Sequence, residues 1–262
     1  LGNGFKEITK AVVHFKESGR IEVRHGWTEM GQGINTVAMQ VVVQELGVDA
    51  TLIDVIVDTT RELGFGQTTG SRGTLMGAGA VKDACDTARA ANFAVGVDHL
   101  GEYRVDWTDK MGTPGVTNPT IHSTFSYAAQ MVIIDRETQK IERVVAVHDV
   151  GRIVNPTLCE GQVEGSVHMG LGYALTEDFP SDPETGFPIN MTLRSLGILR
   201  AKDVPPIEVK LIESPQPNSP YGIKGVGEIG LVPTAGAVAT ALHDLDGQWR
   251  NTLPMRRQKQ ED

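Results

Sequence analysis

Two strand-like stretches, Ala11–Phe15 and Ile21–Trp27, open the hydrophobic pattern and are joined by the turn "KESGR". From Ile34 to about Leu46 the period changes. Ile34, Val37, Ala38 and Val41 share one helical face, and Gly47 stands where a C-cap belongs. "TLIDVIVDT" (51–59) predicts a strand, and after the loop "LGFGQTTGSRG" an Ala-rich helix of about 20 residues starts at Leu75. Residues 99–122 show no clear period and are expected to form the seam between two subdomains. Beyond it, "SYAAQMVIID" and "KIERVVAVHDV" flank "RETQ" as an antiparallel hairpin. Asn155 as N-cap and Pro156 at the first helical position predict a helix through "NPTLCEGQVEGSVHMGLGYALTED". Residues 178–205 predict a long surface excursion, 207–213 a strand, and Pro233 the start of a last helix with Ala235, Val238, Ala239 and Leu242 on one face. Strands and helices are mixed, so the expected class is α+β, as two α+β subdomains with mixed sheets at 1–110 and 111–262.

Composition narrows the function. A net charge of −9 argues against a nucleic-acid surface, which needs clustered Lys and Arg. The one basic cluster, Arg256-Arg257-x-Lys259, reads as a solvated tail. No apolar run is long enough for a membrane span, no signal pattern is visible, and a cytoplasmic setting is expected. Cys85 and Cys159 lack CxxC spacing and read as buried small hydrophobes. The histidines show no HExxH, so no protein-ligated metal is expected. The 30 glycines gather in clusters, at 31–33, 64–79, 161–172 and 222–230, which implies tight turns or close approach of backbone to a ligand.

The last cluster, "GIKGVGEIG", matches the dinucleotide fingerprint at Gly225, Gly227 and Gly230. The context fails: the preceding strand pattern ends near Glu213, too little chain follows Asp246 for a doubly wound sheet, and Glu228 would set a negative charge beside a pyrophosphate. Two readings of Glu228 stay open locally, a solvated surface carboxylate or an active-site base. In the second, the glycines give access and Val226, Ile229 and Leu231 desolvate the acid, raising its pKa. Three further glycine-marked helix starts carry polar groups. Gly31, Gln32 and Gly33 would offer amides and a carboxamide to an oxygen-rich ligand, and Arg72, beside Gly70 and Ser71, suits a phosphate. Gln162 lies in the first turns of the third. Together they suggest a large polar ligand held by amides.

"TEMGQGINT", "TTGSRGT", "VHDVGRIVNPTLCEGQVEGSVHMGLGYALTED" and "YGIKGVGEIGLVPTAGAV" resemble, in order and from about Gly4 to Pro254, the molybdenum hydroxylases of the xanthine dehydrogenase and aldehyde oxidase family. The wording is closest to bacterial xanthine dehydrogenase-like members. The resemblance implies that Gln32, Gln162, Gly31, Gly33 and Gly227 contact a molybdenum–molybdopterin cofactor, with or without a cytosine dinucleotide extension. It implies that Gly70, Ser71 and Arg72 contact the pterin and its phosphate or nucleotide tail. Glu228 would be the catalytic base beside the metal and not a metal ligand. The implied activity is hydroxylation of a purine or other N-heterocycle with oxygen from water. Electrons would leave through [2Fe-2S] centres to FAD.

The match covers only the C-terminal portion of the family's longer subunits. No iron–sulfur cysteine motif or flavin-binding segment is present. The expected partners are therefore the N-terminal half of the molybdenum subunit and iron–sulfur and flavin subunits or domains, in an oligomer, with no nucleic acid and no membrane. The start at Leu1 without Met favours an excised domain, which alone is expected to bind cofactor poorly and to turn nothing over. An aldehyde-oxidising member of the same family is the alternative activity, and a cofactor-free structural or interaction module is the alternative class.

Overall fold

The computed structural model describes residues 2–63, 68–189 and 191–255. Two compact units emerge, and the first is not contiguous. It comprises the described residues up to Ser126, together with Val150–Cys159 and Glu213–Gly225; the second comprises Tyr127–Asp149 and the described residues of Glu160–Ile212 and from Val226 onward. The expected split at 110 is therefore too simple, because two later segments return to the first unit.

In the first unit, β1 (Glu7–Phe15), β2 (Ile21–His25), β3 (Ile53–Val57) and β4 (Asp98–Val105) form one sheet in the order β3-β2-β1-β4. β1 runs antiparallel to β2 and β4, while β2 and β3 are parallel. β4 was not expected: its segment lies at the supposed seam. Its inward positions are His99, Gly101 and Val105, opposite Val13, Ala11 and Glu7 of β1, and a glycine breaks the apolar alternation. The glycine has a packing reason. A Cβ on Gly101 would stand 2.1 Å from the Ala84 nitrogen and 2.3 Å from the Ala80 carbonyl oxygen. The bare backbone of β4 thus seats the helix α2 (Gly73–Ala90).

α1 (Ile34–Leu46) covers the same sheet with Ile34, Val37, Ala38, Val41 and Val42 buried, and ends as expected at Gly47 in a left-handed turn. Val13, Val23, Val42 and Val81 are fully buried. Burial of such a side chain contributes roughly 1.5–3 kcal/mol. Cys85 sits in this core, where burial pushes its thiol up to about 12. Cys159 differs from expectation and is only half-buried.

In the second unit, β5 (Ala128–Ile134) and β6 (Ile141–Asp149) form the expected hairpin, with Asp135 accepting from the Thr138 amide at its turn. β7 (Ile207–Ile212) joins parallel to β6, giving the order β5-β6-β7. α3 (Pro156–Leu175) starts as expected, the Asn155 side chain accepting from the Leu158 amide at 3.0 Å. α4 (Thr234–Asp246) buries Thr234, Val238 and Leu242. Helices and two mixed sheets make an α+β architecture. Among the described residues no helix is long and apolar enough to cross a membrane. The Gly64–Gln67 part of the second glycine cluster and the basic cluster at Arg256–Lys259 lie outside the described residues.

Candidate functional site

The loop before α1 is organised by a residue that sequence reasoning missed. One oxygen of Glu29 accepts from the Gly31 and Gly33 amides, both at 2.9 Å, and the other accepts from the Asn35 amide at 3.1 Å. Burial raises the Glu29 carboxyl, but those three N–H groups outweigh it and hold it below the usual carboxylate range. The helix-start amides expected to await an anionic ligand are therefore taken by the chain's own carboxylate. An anion at a helix N-terminus contributes about 0.3–1 kcal/mol. Gln32 also folds back, accepting from the Met30 amide at 2.6 Å and donating to the Thr28 carbonyl at 2.7 Å. Gly33 has φ 87°, and a Cβ there would lie 2.4 Å from a Leu158 methyl.

The Gly70–Arg72 loop lies beside it in the same unit. The Thr28 amide donates to the Thr68 hydroxyl at 3.0 Å, and the Arg72 guanidinium stands 5.7 Å from the centre of the Trp27 ring. Arg72 does not stand ready for a phosphate as expected: it is buried and paired with Glu7 of β1. Gly70 (φ 65°) has open space around its Cβ position, and Ser71 is also left-handed, with φ 53°. The Ser71 carbonyl in turn receives the first glycine of the Glu228 loop. A Cβ on Gly225 would lie 1.9 Å from that oxygen.

In the second unit the structure brings Gln162 and the Glu228 loop together. The Ser166 hydroxyl, one turn along α3 from Gln162, lies 2.6 Å from the Gln162 carbonyl and 3.0 Å from the Gly227 carbonyl. A Cβ on Gly230 would stand 2.5 Å from that of Ser166. At the far end of the loop, the Gln130 amide of β5 donates to the Gly230 carbonyl at 2.7 Å. Gly230 therefore lets the end of the loop lie against α3, while Glu228 itself is exposed. The desolvation expected from Val226, Ile229 and Leu231 is not provided by these neighbours.

Gln130 and His148 were also missed. Gln130 lies opposite Ala146 in the β5–β6 register, so it and His148 are diagonal neighbours on one face. That face also carries the buried Val132, Val144 and Ala146. A polar residue in the core-facing phase of a strand was the signal available. His148 is fully buried, burial pushes its pKa down, and its Nδ1 has no hydrogen-bond partner among the described residues. An unsatisfied buried polar group costs about 1–3 kcal/mol.

Gly31, Gly70, Gly161 and Gly165 all have open space where a Cβ would stand, and Gln32 and Gln162 are half-buried. Accessible backbone and carboxamides of this kind fit a hydrogen-bonding pterin. The fit is weaker at Arg72, whose charge is already matched. A separate cleft of about 470 Å³ in the first unit, lined by Met39, Gln40, Gln44, Arg152 and Tyr221 among others, contains none of these residues.

The family model for the molybdopterin cofactor-binding domain matches residues 2–102 and 90–205. The chain is 28% identical to the xanthine dehydrogenase molybdenum-binding subunit of Escherichia coli O157:H7, over 95% of this chain and 38% of that protein. It is 27% identical to the 6-hydroxypseudooxynicotine dehydrogenase complex subunit gamma of Paenarthrobacter nicotinovorans, over 93% of this chain and 36% of that protein. The aldehyde oxidoreductase of Desulfovibrio desulfuricans shares the fold, with a TM-score of 0.75 at 22% identity, over 92% of this chain and 29% of that one. The chain thus spans little more than a third of the curated relatives it matches. With glycine-framed carboxamide loops in both units and a family match across most of its length, the chain belongs to the molybdopterin cofactor-binding domain family of the molybdenum hydroxylases.

Proposed function

We propose that this chain is the C-terminal cofactor-binding portion of a molybdenum hydroxylase that hydroxylates a purine or other N-heterocycle, with Glu228 as general base. The observation that carries this reading is the mounting of Glu228. Its loop is held at Gly227 by Ser166 and at Gly230 by Gln130, and its side chain reaches solvent. A solvated surface glutamate has no need of such a mount. The relatives named for xanthine and for an oxynicotine, both nitrogen heterocycles, support the substrate class.

Gln32 and Gln162 would hold the pterin through their carboxamides, and the Gly70–Ser71 backbone would lie against its phosphate or nucleotide tail. Reaching a ligand requires Gln32 to exchange its bonds to Met30 and Thr28, which are local and part-exposed. When bound, the cofactor supplies the two-electron redox chemistry of hydroxylation with oxygen from water. Glu228 takes up the proton at a carboxylate oxygen, and the glycines on both sides keep side chains out of its way. Iron–sulfur and flavin partners would carry the electrons away, and the remaining part of the subunit would complete the substrate pocket.

The test is Glu228→Gln in the complete enzyme. A positioned base contributes about 10²–10⁴-fold, so kcat should fall by that order with molybdenum content and folding unchanged. Retained activity would overturn the assignment of the base. Wild-type complex that purifies without molybdenum would favour a cofactor-free module. Faster turnover of aldehydes than of purines and other N-heterocycles would reassign the substrate class.

A further inference from the structure

The Glu228 loop is held by a hydrogen-bond network whose polarity can be worked out. The Gly230 carbonyl can only accept, so the atom of Gln130 that lies 2.7 Å from it is the amide nitrogen. The amide oxygen then faces the Thr234 hydroxyl at 2.8 Å as an acceptor. The second N–H of the amide points at Nε2 of His148, 3.2 Å away. That nitrogen must accept, which places the imidazole proton on Nδ1. His148 is fully buried, and burial disfavours its charged form, so the ring stays neutral and its Nε2 stays an acceptor. The Thr234 hydroxyl also lies 2.9 Å from the Gly230 carbonyl, so its one proton is shared between two acceptors, whereas Gln130 can meet that carbonyl only as a donor; the outcome is an amide aimed at a carbonyl two residues beyond Glu228.

We propose that Gln130 is a positioning residue for Glu228: its amide, oriented by His148 and Thr234, clamps the Gly230 carbonyl, while Ser166 clamps Gly227 on the other side. This rests on the reading of Glu228 as the base. The clamp holds backbone on both flanks of the glutamate and leaves its carboxylate accessible. An alternating strand would ordinarily put an apolar side chain where Gln130 stands, since Val132 follows on the same face. Retaining a carboxamide there, with a buried imidazole beside it whose Nδ1 has no partner among the described residues, is accounted for by the bond to the loop.

The experiment uses the complete molybdenum-loaded enzyme carrying Gln130→Glu, an isosteric change whose carboxylate cannot donate to the Gly230 carbonyl. Two readouts are taken: amide hydrogen exchange across residues 226–234, and steady-state kinetics. The expected result is exchange in this segment at least tenfold faster, a kcat fall of about 10–100-fold, of the size that loss of catalytic geometry brings, KM within threefold and unchanged molybdenum content. Gln130→Met, which removes the amide while keeping the side-chain length and leaves the Thr234 hydroxyl on the Gly230 carbonyl in place, should shift both readouts the same way, and it decides the matter if Gln130→Glu does not assemble. Unchanged exchange would overturn the clamp. Faster exchange with unchanged kcat would overturn the positioning role. Failure of the base itself is read separately, as full activity in Glu228→Gln.

Discussion

Gly225 lies so close to Ser71 that a Cβ on it would stand 1.9 Å from the Ser71 carbonyl oxygen. This contact joins the start of the Glu228 loop to the Gly70–Arg72 loop through backbone alone. Gly225→Ala should therefore destabilise the chain by roughly 1–3 kcal/mol, the range of overpacking in a tight site. Gly236→Ala is the control. It lies in α4 with nothing near its Cβ position and should stabilise by about 0.5–1 kcal/mol. Urea midpoints of the two variants check both signs.

Arg72 and Glu7 form a pair with side chains only 10% and 16% exposed. Removing one partner leaves the other charge poorly solvated, so the single changes should not add. A double-mutant cycle of Glu7→Gln and Arg72→Met should give a coupling energy of about 1–3 kcal/mol. Coupling near zero would show that Arg72 is held by its other contacts and that its charge is available to a ligand.

His25 and His148 are both buried and both pushed below the ordinary imidazole value of 6.5, in each case by burial. The His25 ring accepts from the Trp27 amide and pairs with the Asn35 side chain, which suits one neutral tautomer. The unfolded chain binds protons at these two residues before the folded chain does. Stability from them is fully present above pH 6.5 and is lost as pH falls from there toward the depressed folded values. Urea midpoints between pH 8 and 5 should fall over that window, and His148→Gln should flatten the dependence. A profile level from pH 7 to 5 would refute the neutral burial of both rings.

Gly161 and Gly165 lie on α3 with nothing near their Cβ positions. Nothing among the described residues needs them to be glycine, and each costs about 1 kcal/mol against alanine in a helix. Gly165→Ala should raise the melting temperature of this chain. In the complete enzyme the same change should lower molybdenum content if cofactor or partner lies against that face. Unchanged loading would remove α3 from the cofactor-facing surface.

The elements best read in advance were those with local determinants. α1 follows from its buried stripe and Gly47, and α3 from Asn155 and Pro156, because periodicity and caps act within a turn or two of chain. β4 was lost because its inward glycine carries no apolar signal; its reason for being glycine is a helix packed on it. At the candidate site, the Glu228 loop stood out by its glycines, yet the group that holds it did not. Gln130 reads as an ordinary polar residue until the loop returns to it.

The sequence by itself determined the α+β class, the hairpin, most helix bounds and, through four motifs in order, the family. Tertiary structure decided the partners. Glu29 turns back to occupy the amides of its own loop, Glu7 meets Arg72 from 65 positions away, and Gln130 meets Gly230 from 100 away. The difference has one physical source. Burial pattern and capping are set by neighbours in the chain, whereas the pairing of a charge or an amide depends on which distant segment packs against it, and no local period encodes that return.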